Sequence, residues 1–300
     1  MGNPTFMLKN ILFVVNPISG GTAKEDLIDT VMEYGRDLGY SVRLYETTGN
    51  DDSSQIRRMY EKTSPERVIV AGGDGTVKMV GEALADAKPV LGIIPAGSAN
   101  GLSVDLDFPK NTDEILQIAF QNAPLALDMV IINGHKSIHL ADIGLNAELI
   151  KNYENGTIRG KLGYALHSLN TLTDPPLPFK VRVEADERVV EAAAKMLVVA
   201  NSNRYGTGVT INPMGRMDDG KFEIVIIKNL DLWVFGKIVV GKMPLDTGDV
   251  EIISATQAVI TTDVPVHFQV DGEYLDEVTR LEAKILPEHI FIAAPVVTDA

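Results

Sequence analysis

The chain has 300 residues, enough for two domains, and its 45% hydrophobic and 23% charged content suits a sizeable core and argues against long disorder. It contains no cysteine, which excludes disulfides, thiolate zinc sites and a cysteine nucleophile, and suits a reducing compartment. With 41 acidic against 27 basic side chains the formal net charge is -14, so non-specific nucleic-acid binding is disfavoured and any attraction to an anionic membrane needs a local patch.

Met1 to Lys9 carries no basic segment followed by a long apolar stretch, and no apolar run approaches the roughly 20 residues that span a bilayer. A cytoplasmic or peripheral protein without a transmembrane segment is expected. Lys9 to Val15 reads as an apolar strand running into Asn16-Pro17-Ile18-Ser19-Gly20-Gly21, where Pro17 fixes a turn and Ser19 offers a hydroxyl, a first candidate phosphate loop. An amphipathic helix over Ala23–Leu38 ends at Gly39, and a strand over Ser41–Tyr45 leads to Thr47, Thr48 and Gly49. Ser53–Lys62 reads as a helix with Arg57 and Arg58 on an exposed face.

The stretch Val68 to Thr76 is the most informative. A β-branched run ends in Gly72-Gly73-Asp74-Gly75-Thr76, and Val77–Ala87 has helical apolar spacing. Glycines at a strand-to-helix junction let backbone N–H groups approach a ligand, and the helix start favours an anion. A carboxylate aimed at a phosphate is repulsive unless a divalent cation or a proton transfer gives it a role, so Asp74 suggests metal-nucleotide chemistry. The next strand, Val90–Ile94, ends in Pro95-Ala96-Gly97-Ser98-Ala99-Asn100-Gly101, and a helix follows over Asp113–Gln121. Three loops of small, hydrogen-bonding residues on one edge of a parallel sheet describe a cleft.

From about Ala126 the pattern changes to short β-rich runs. Turn signals recur at Asn133-Gly134, Asn155-Gly156, Asp219-Gly220 and Asp271-Gly272. Strands are expected over Leu127–Ile132, Phe179–Ala185, Met196–Ala200, Phe222–Ile227, Ala258–Thr262 and Val266–Val270. The fold class is α/β plus all-β, with a Rossmann-like domain over residues 1–125 and a β-sandwich over 126–287. The apolar segment Ile290 to Val297 is left free to rejoin either. Trp233 to Pro244 reads as a packed crossover helix before a membrane contact, and the five histidines show no metal spacing.

Taken together, these residues resemble the diacylglycerol kinase catalytic-domain superfamily, the lipid kinases that include sphingosine and ceramide kinases, and especially its stand-alone bacterial members. The markers are Asn16 to Gly20, Gly72 to Thr76, Pro95 to Asn100, Leu127-Asp128 before Asn133-Gly134, Ile143-Gly144-Leu145-Asn146-Ala147-Glu148, Asn212-Pro213, Asp218-Asp219-Gly220 and Asp271-Gly272-Glu273. The resemblance implies an ATP-binding first domain and a second that closes over the acceptor. It places Asn16, Pro17, Ser19, Gly20, Thr47, Gly72, Gly73, Asp74, Gly75, Thr76, Gly97, Ser98 and Asn100 at the nucleotide. It places the general base at Asp271 or Glu273, without choosing between them, with Asp74 also catalytic. A structural Mg²⁺ similar to the family's would use Asp219, backbone carbonyls at Arg216 and Lys221, and a water-linked Asp128.

The chain departs from the pattern at Gly101, where bacterial members carry an aspartate, and at Lys78-Met79, where they carry Asn-Glu. The expected activity is ATP- and Mg²⁺-dependent phosphorylation of a diacylglycerol-like or sphingoid lipid presented at a membrane surface, by a cytoplasmic protein that associates transiently with it. A homodimer is left open. The rivals are a soluble-acceptor kinase of NAD-kinase type and a nucleotide-binding regulator without catalysis. Taken alone, Asp218-Asp219-Gly220 and Asp271-Gly272 also suit plain hairpin turns, and Asp128 suits a buried polar residue with a backbone partner.

Overall fold

The structure is a computed structural model that describes residues 9–21, 24–145, 147, 177–204, 210–229 and 248–295. The expected turn at Asn155-Gly156, the helix over Trp233 to Pro244, and Asn146 and Glu148 lie outside them. The chain divides into two compact units, Met1–Leu127 with His289–Ala300, and Asp128–Glu288.

The first unit alternates strands and helices: β1 (Lys9–Val15), α1 (Glu25–Asp37), β2 (Tyr40–Glu46), α2 (Asp52–Thr63), β3 (Arg67–Gly72), α3 (Asp74–Ala83), β4 (Val90–Pro95), α4 (Gly101–Asp105) and α5 (Thr112–Gln121). The strands form a parallel sheet in the order β4-β3-β1-β2, and Phe291–Ala293 pair parallel with Val90–Gly92 on the far side of β4. Ile11 to Val15 and Val68 to Ala71 are continuously buried, as strands covered on both faces require.

On one face Ile11, Phe13 and Val15 pack against Val31 of α1 and Leu116, Ala119 and Phe120 of α5. The apolar positions Leu27, Ile28, Val31 and Met32 recur at helical spacing, so α1 turns one stripe to that core. Phe13 and Phe120 are fully buried, a contribution of roughly 1.5–3 kcal/mol each from area removed from water. Gly39, at φ +79, ends α1 where a side chain would be strained. Asn111 starts α5 by accepting the Asp113 amide at 2.8 Å.

The strand order reverses between β1 and β3: β1 leads outward to β2, whereas β3 and β4 lie on its other side. In such sheets the crevice beyond the strand C-termini at the reversal is where ligands bind. The Asn16 and Gly72 loops flank that point.

The second unit takes in the end of β5 (Pro124–Ile132), then β6 (His135–Ser137), β7 (Leu140–Gly144), β8 (Phe179–Ala185), β9 (Arg188–Ala194), β10 (Met196–Ala200), β11 (Phe222–Ile227), β12 (Val250–Ala255), β13 (Gln257–Val270) and the first part of β14 (Glu273–Ala293). Its described strands pair antiparallel in the order β12-β11-β10-β7-β13-β14. The two strands expected over Ala258–Thr262 and Val266–Val270 are one strand. A register shift between Thr261 and Val266 lets its first half pair with β8 and its second half with β7. Val181 and Val183 of β8 share one apolar core with Leu197, Ile224 and Phe268.

The Asn133-Gly134 and Asp271-Gly272 turns close hairpins with positive φ at both central residues, +48 and +86 in the first, +49 and +88 in the second. Asp219-Gly220 does not close a hairpin; it ends a loop and feeds β11. The expected helix at Val77 begins earlier, at Asp74, and stops at Ala83. The three-residue β6 was not anticipated, nor were strands β7, β9 and β12 and most of β14. Their Asp, Ala and Glu content gives weak β propensity, and partners across the sheet supply what propensity does not.

Candidate functional site

Three loops of the first unit meet at the strand reversal. Asn16 Nδ2 donates to Thr76 Oγ1 at 3.2 Å, crossing from the loop after β1 to the start of α3. The Ser19 hydroxyl points to Ala96 O at 2.9 Å and Asn16 O at 3.0 Å, joining the first loop to the third. Ala96 N donates to Gly72 O at 2.9 Å. Asn100, at φ +55, folds the third loop on itself, its Oδ1 accepting Gly97 N at 2.7 Å and its Nδ2 donating to Gly97 O at 3.0 Å. Ser98 and Gly75 are exposed, and Pro17 and Thr47 are half-buried.

Three of the loop glycines also permit close packing. A Cβ on Gly97 would stand 2.4 Å from Gly73 Cα, and one on Gly20 would stand 2.8 Å from Ala96 O. One on Gly72 would meet Thr76 Oγ1 at 2.6 Å. These residues let the loops touch each other. Gly75, like Gly21 of the first loop, is open, with nothing among the described residues within 4 Å of its would-be Cβ. Gly73 caps α3 without a side-chain hydrogen bond, so no capping side chain competes with an anion for the first-turn amides.

Asp74 has partners within its own unit. Its carboxylate oxygens accept Gly101 N at 2.7 Å and Leu102 N at 3.0 Å, the first two amides of α4. These helix-start amides offset part of the carboxylate's charge. Gly101, a position singled out in the sequence, is one of those donors.

Sequence reasoning passed over Asp52. Buried at the first position of α2, it accepts from Tyr45 Oη at 2.7 Å, Thr48 N at 2.9 Å, Gly49 N at 2.8 Å and Thr48 Oγ1 at 3.2 Å, fixing the loop after Thr47. Burial opposes its charge, but the donors from Thr48, Tyr45 and Gly49 outweigh it and hold the carboxyl below its ordinary range. Tyr45 is pushed up to about 12, first by burial and then by its bond to Asp52. The available signal was an aspartate three residues after a Thr-Gly loop, poised to bond back to it.

In the second unit, Asp271 Oδ1 accepts from Ser137 Oγ at 2.8 Å, His139 N at 3.0 Å and Leu140 N at 3.3 Å. Its Oδ2 accepts Ile138 N at 3.1 Å. Glu273, two residues on, is exposed. Asp128 is buried and likewise committed, with Oδ2 accepting Gly220 N at 2.7 Å and Oδ1 accepting Glu288 N at 2.9 Å. Its own amide donates to Met217 O at 2.6 Å.

The residues assigned to a structural Mg²⁺ are therefore brought to one loop, 216–221, beside Asp128. Asp219 is exposed, and its Oδ1 accepts Lys221 N at 3.0 Å. Arg216 turns outward and pairs with Asp218 at 3.1 Å, and that pair raises the arginine's already high pKa. Among the described residues no group of three carboxylate, histidine or cysteine side chains gathers as a metal site. A Mg²⁺ that keeps several waters would find oxygen ligands of the kind it takes in the Asp219 carboxylate and the backbone carbonyls of this loop. Asp128 would fasten that loop through Gly220.

A family model of the diacylglycerol kinase catalytic domain matches residues 10–132, and one of the YegS C-terminal NAD kinase beta sandwich-like domain matches residues 140–294, more than half of the chain. The diacylglycerol kinase of Bacillus subtilis (strain 168) is 28% identical over 280 residues, covering 89% of this chain and 90% of its own. A YegS-like lipid kinase of Chromohalobacter salexigens is 26% identical over 271 residues, 87% of this chain and 86% of its own. Among solved structures, a diacylglycerol kinase from Bacillus anthracis str. Sterne superposes with a TM-score of 0.74 at 21% identity, over 96% of this chain and 98% of the other, a likeness of fold. The chain belongs to the diacylglycerol kinase family.

Proposed function

We propose that the protein is an ATP-dependent, Mg²⁺-requiring kinase that phosphorylates a hydroxyl of a diacylglycerol-like or sphingoid lipid at a membrane surface. The observation that carries this is the joined set of loops at the strand reversal, where the start of α3 has no capping side chain and Gly75 opens outward. That arrangement suits a nucleotide's phosphates. Asn16, Pro17, Ser19, Gly20, Thr47, Gly72 to Thr76, Gly97, Ser98 and Asn100 form the candidate nucleotide site, with Asp74 shaping it through Gly101 and Leu102.

MgATP, when bound, supplies the transferring group and neutralises its charge. With it in place, the acceptor hydroxyl oxygen would form its bond to the γ-phosphorus as the bond to the β–γ bridging oxygen breaks and ADP leaves, and a carboxylate of the 271–273 turn would take the hydroxyl proton. Asp271 and Glu273 differ in what already holds them: Asp271 accepts a hydroxyl and three amides, whereas Glu273 is exposed. Among the described residues no helix is long and apolar enough to cross a membrane.

The test is transfer of radiolabelled γ-phosphate from ATP with Mg²⁺ into a panel of micellar lipids and soluble acceptors. Label in an organic-phase product is the expected result. Label confined to a soluble product would favour the NAD-kinase-like reading, with which the second domain shares a likeness of fold by its family description. ATP binding without transfer to any acceptor would favour a regulator.

A further inference from the structure

Beneath the 271–273 turn lies a polar pair with no role in the reaction described above. Gln269 on β13 and Asp142 on β7 stand directly opposite each other in the sheet, with 0% and 1% of their surface exposed. Gln269 Nε2 donates to Asp142 Oδ2, and its Oε1 accepts Gly272 N at 2.7 Å. The neighbouring Asp271 N donates to Leu140 O at 2.9 Å, at the start of β7. Both central residues of the turn are thus fastened to β7, one through its own backbone and side chain, the other through Gln269.

A hairpin does not need this. The Asn133-Gly134 turn has the same backbone form and is held from outside by Asn133, whose side chain meets Arg280 O at 2.9 Å and Glu282 N at 2.8 Å near the surface. A buried carboxylate costs free energy that a hairpin closed by Asn-Gly avoids. Such a cost is worth carrying where the position of the turn itself matters.

We propose that Asp142 and Gln269 are positioning residues that set the place of the 271–273 carboxylates through the Gly272 amide. The inference rests on the kinase reading for its catalytic purpose. A displacement of about 1 Å can lower a rate about a hundredfold, so loosening this turn should reduce kcat while leaving KM for ATP near its original value.

The pair can be inverted. In Gln269→Glu two carboxylates face each other. In the double variant Asp142→Asn with Gln269→Glu the donor moves to position 142, and the carboxylate at position 269 still offers an oxygen to the Gly272 amide. The expected result is a kcat lowered about tenfold to a hundredfold in Gln269→Glu, faster hydrogen exchange at the Gly272 amide, and recovery of both in the double variant. Gln269→Met, close in size and lacking both bonds, carries the test should Gln269→Glu not fold. An active Gln269→Met protein with wild-type kcat and unchanged Gly272 exchange overturns the tether. Loss of kcat without rescue in the double variant, in step with a lowered melting temperature, reduces the pair to a structural one and overturns the positioning role. Wild-type protein that transfers no phosphoryl group overturns the kinase reading instead, while Gly272 exchange still decides whether the tether exists.

Discussion

The loops after β1, β3 and β4 come together because glycines let their backbones touch, whereas in the second unit the 271–273 turn and the 216–221 loop are held by carboxylates that accept amide hydrogens. Asp74 links the two styles, a carboxylate doing in the first unit what Asp128 and Asp271 do in the second. The difference bears on how the family's marker aspartates are read. Each was singled out as a group for chemistry or metal binding, and each of these three is found accepting at least two backbone amides. Their first effect is to fix loop geometry, and the exposed Glu273 and Asp219 stand in contrast to them.

Removing the most heavily engaged carboxylate should have the largest effect. Asp271→Ala strands the Ser137 hydroxyl and the amides of Ile138, His139 and Leu140, and should lower stability by about 3 kcal/mol and abolish turnover. Denaturant midpoints and kcat check it. Asp271→Asn keeps an oxygen for Oδ1's donors: lost turnover at an unchanged midpoint assigns the base to Asp271, whereas the same outcome for Glu273→Gln assigns it to Glu273.

Glycine packing comes next. Gly97→Val places side-chain carbon where 2.4 Å separates a Cβ from Gly73 Cα, so the loops must part and MgATP affinity should fall about a hundredfold. Gly75→Ala meets open space and should leave the loops joined; calorimetric ATP binding compares the two.

How much of this was legible in the sequence follows the same division. The β-α order of the first unit, its three loops and the Asp271-Gly272 turn could be read because apolar periodicity and Gly or Asn turn chemistry are local signals. What Asp74 and Asp271 hold could not be read, since the acceptors lie 27 to 28 and 131 to 134 residues from their donors. Strand β7 was hidden because Asp142 breaks its apolar run, and the group that donates to Asp142 Oδ2, Gln269, lies on a strand more than a hundred residues later.

Asp52 offers a milder test within the first unit. Its depressed pKa means that its stabilising contribution is complete above the unfolded carboxylate value of about 4 and is lost as pH falls through the lower folded value. Thr48 and Gly49 should therefore loosen in acid, and Asp52→Asn should abolish that dependence, as amide chemical shifts would record. The smallest effect is on Tyr45. Asp52→Asn removes the carboxylate charge that adds to its elevation, so its absorbance titration should move down from about 12 while staying above an exposed tyrosine's, because burial remains and the amide oxygen still accepts.

The most direct measurement of the account is hydrogen exchange at the Gly101 and Leu102 amides, in the wild type and in Asp74→Ala, at neutral pH. If Asp74 holds the third loop by accepting those amides, both are protected in the wild type and exchange faster, by about tenfold, in the variant. Equal exchange in the two proteins would contradict it and return Asp74 to the role of a group reserved for metal or proton.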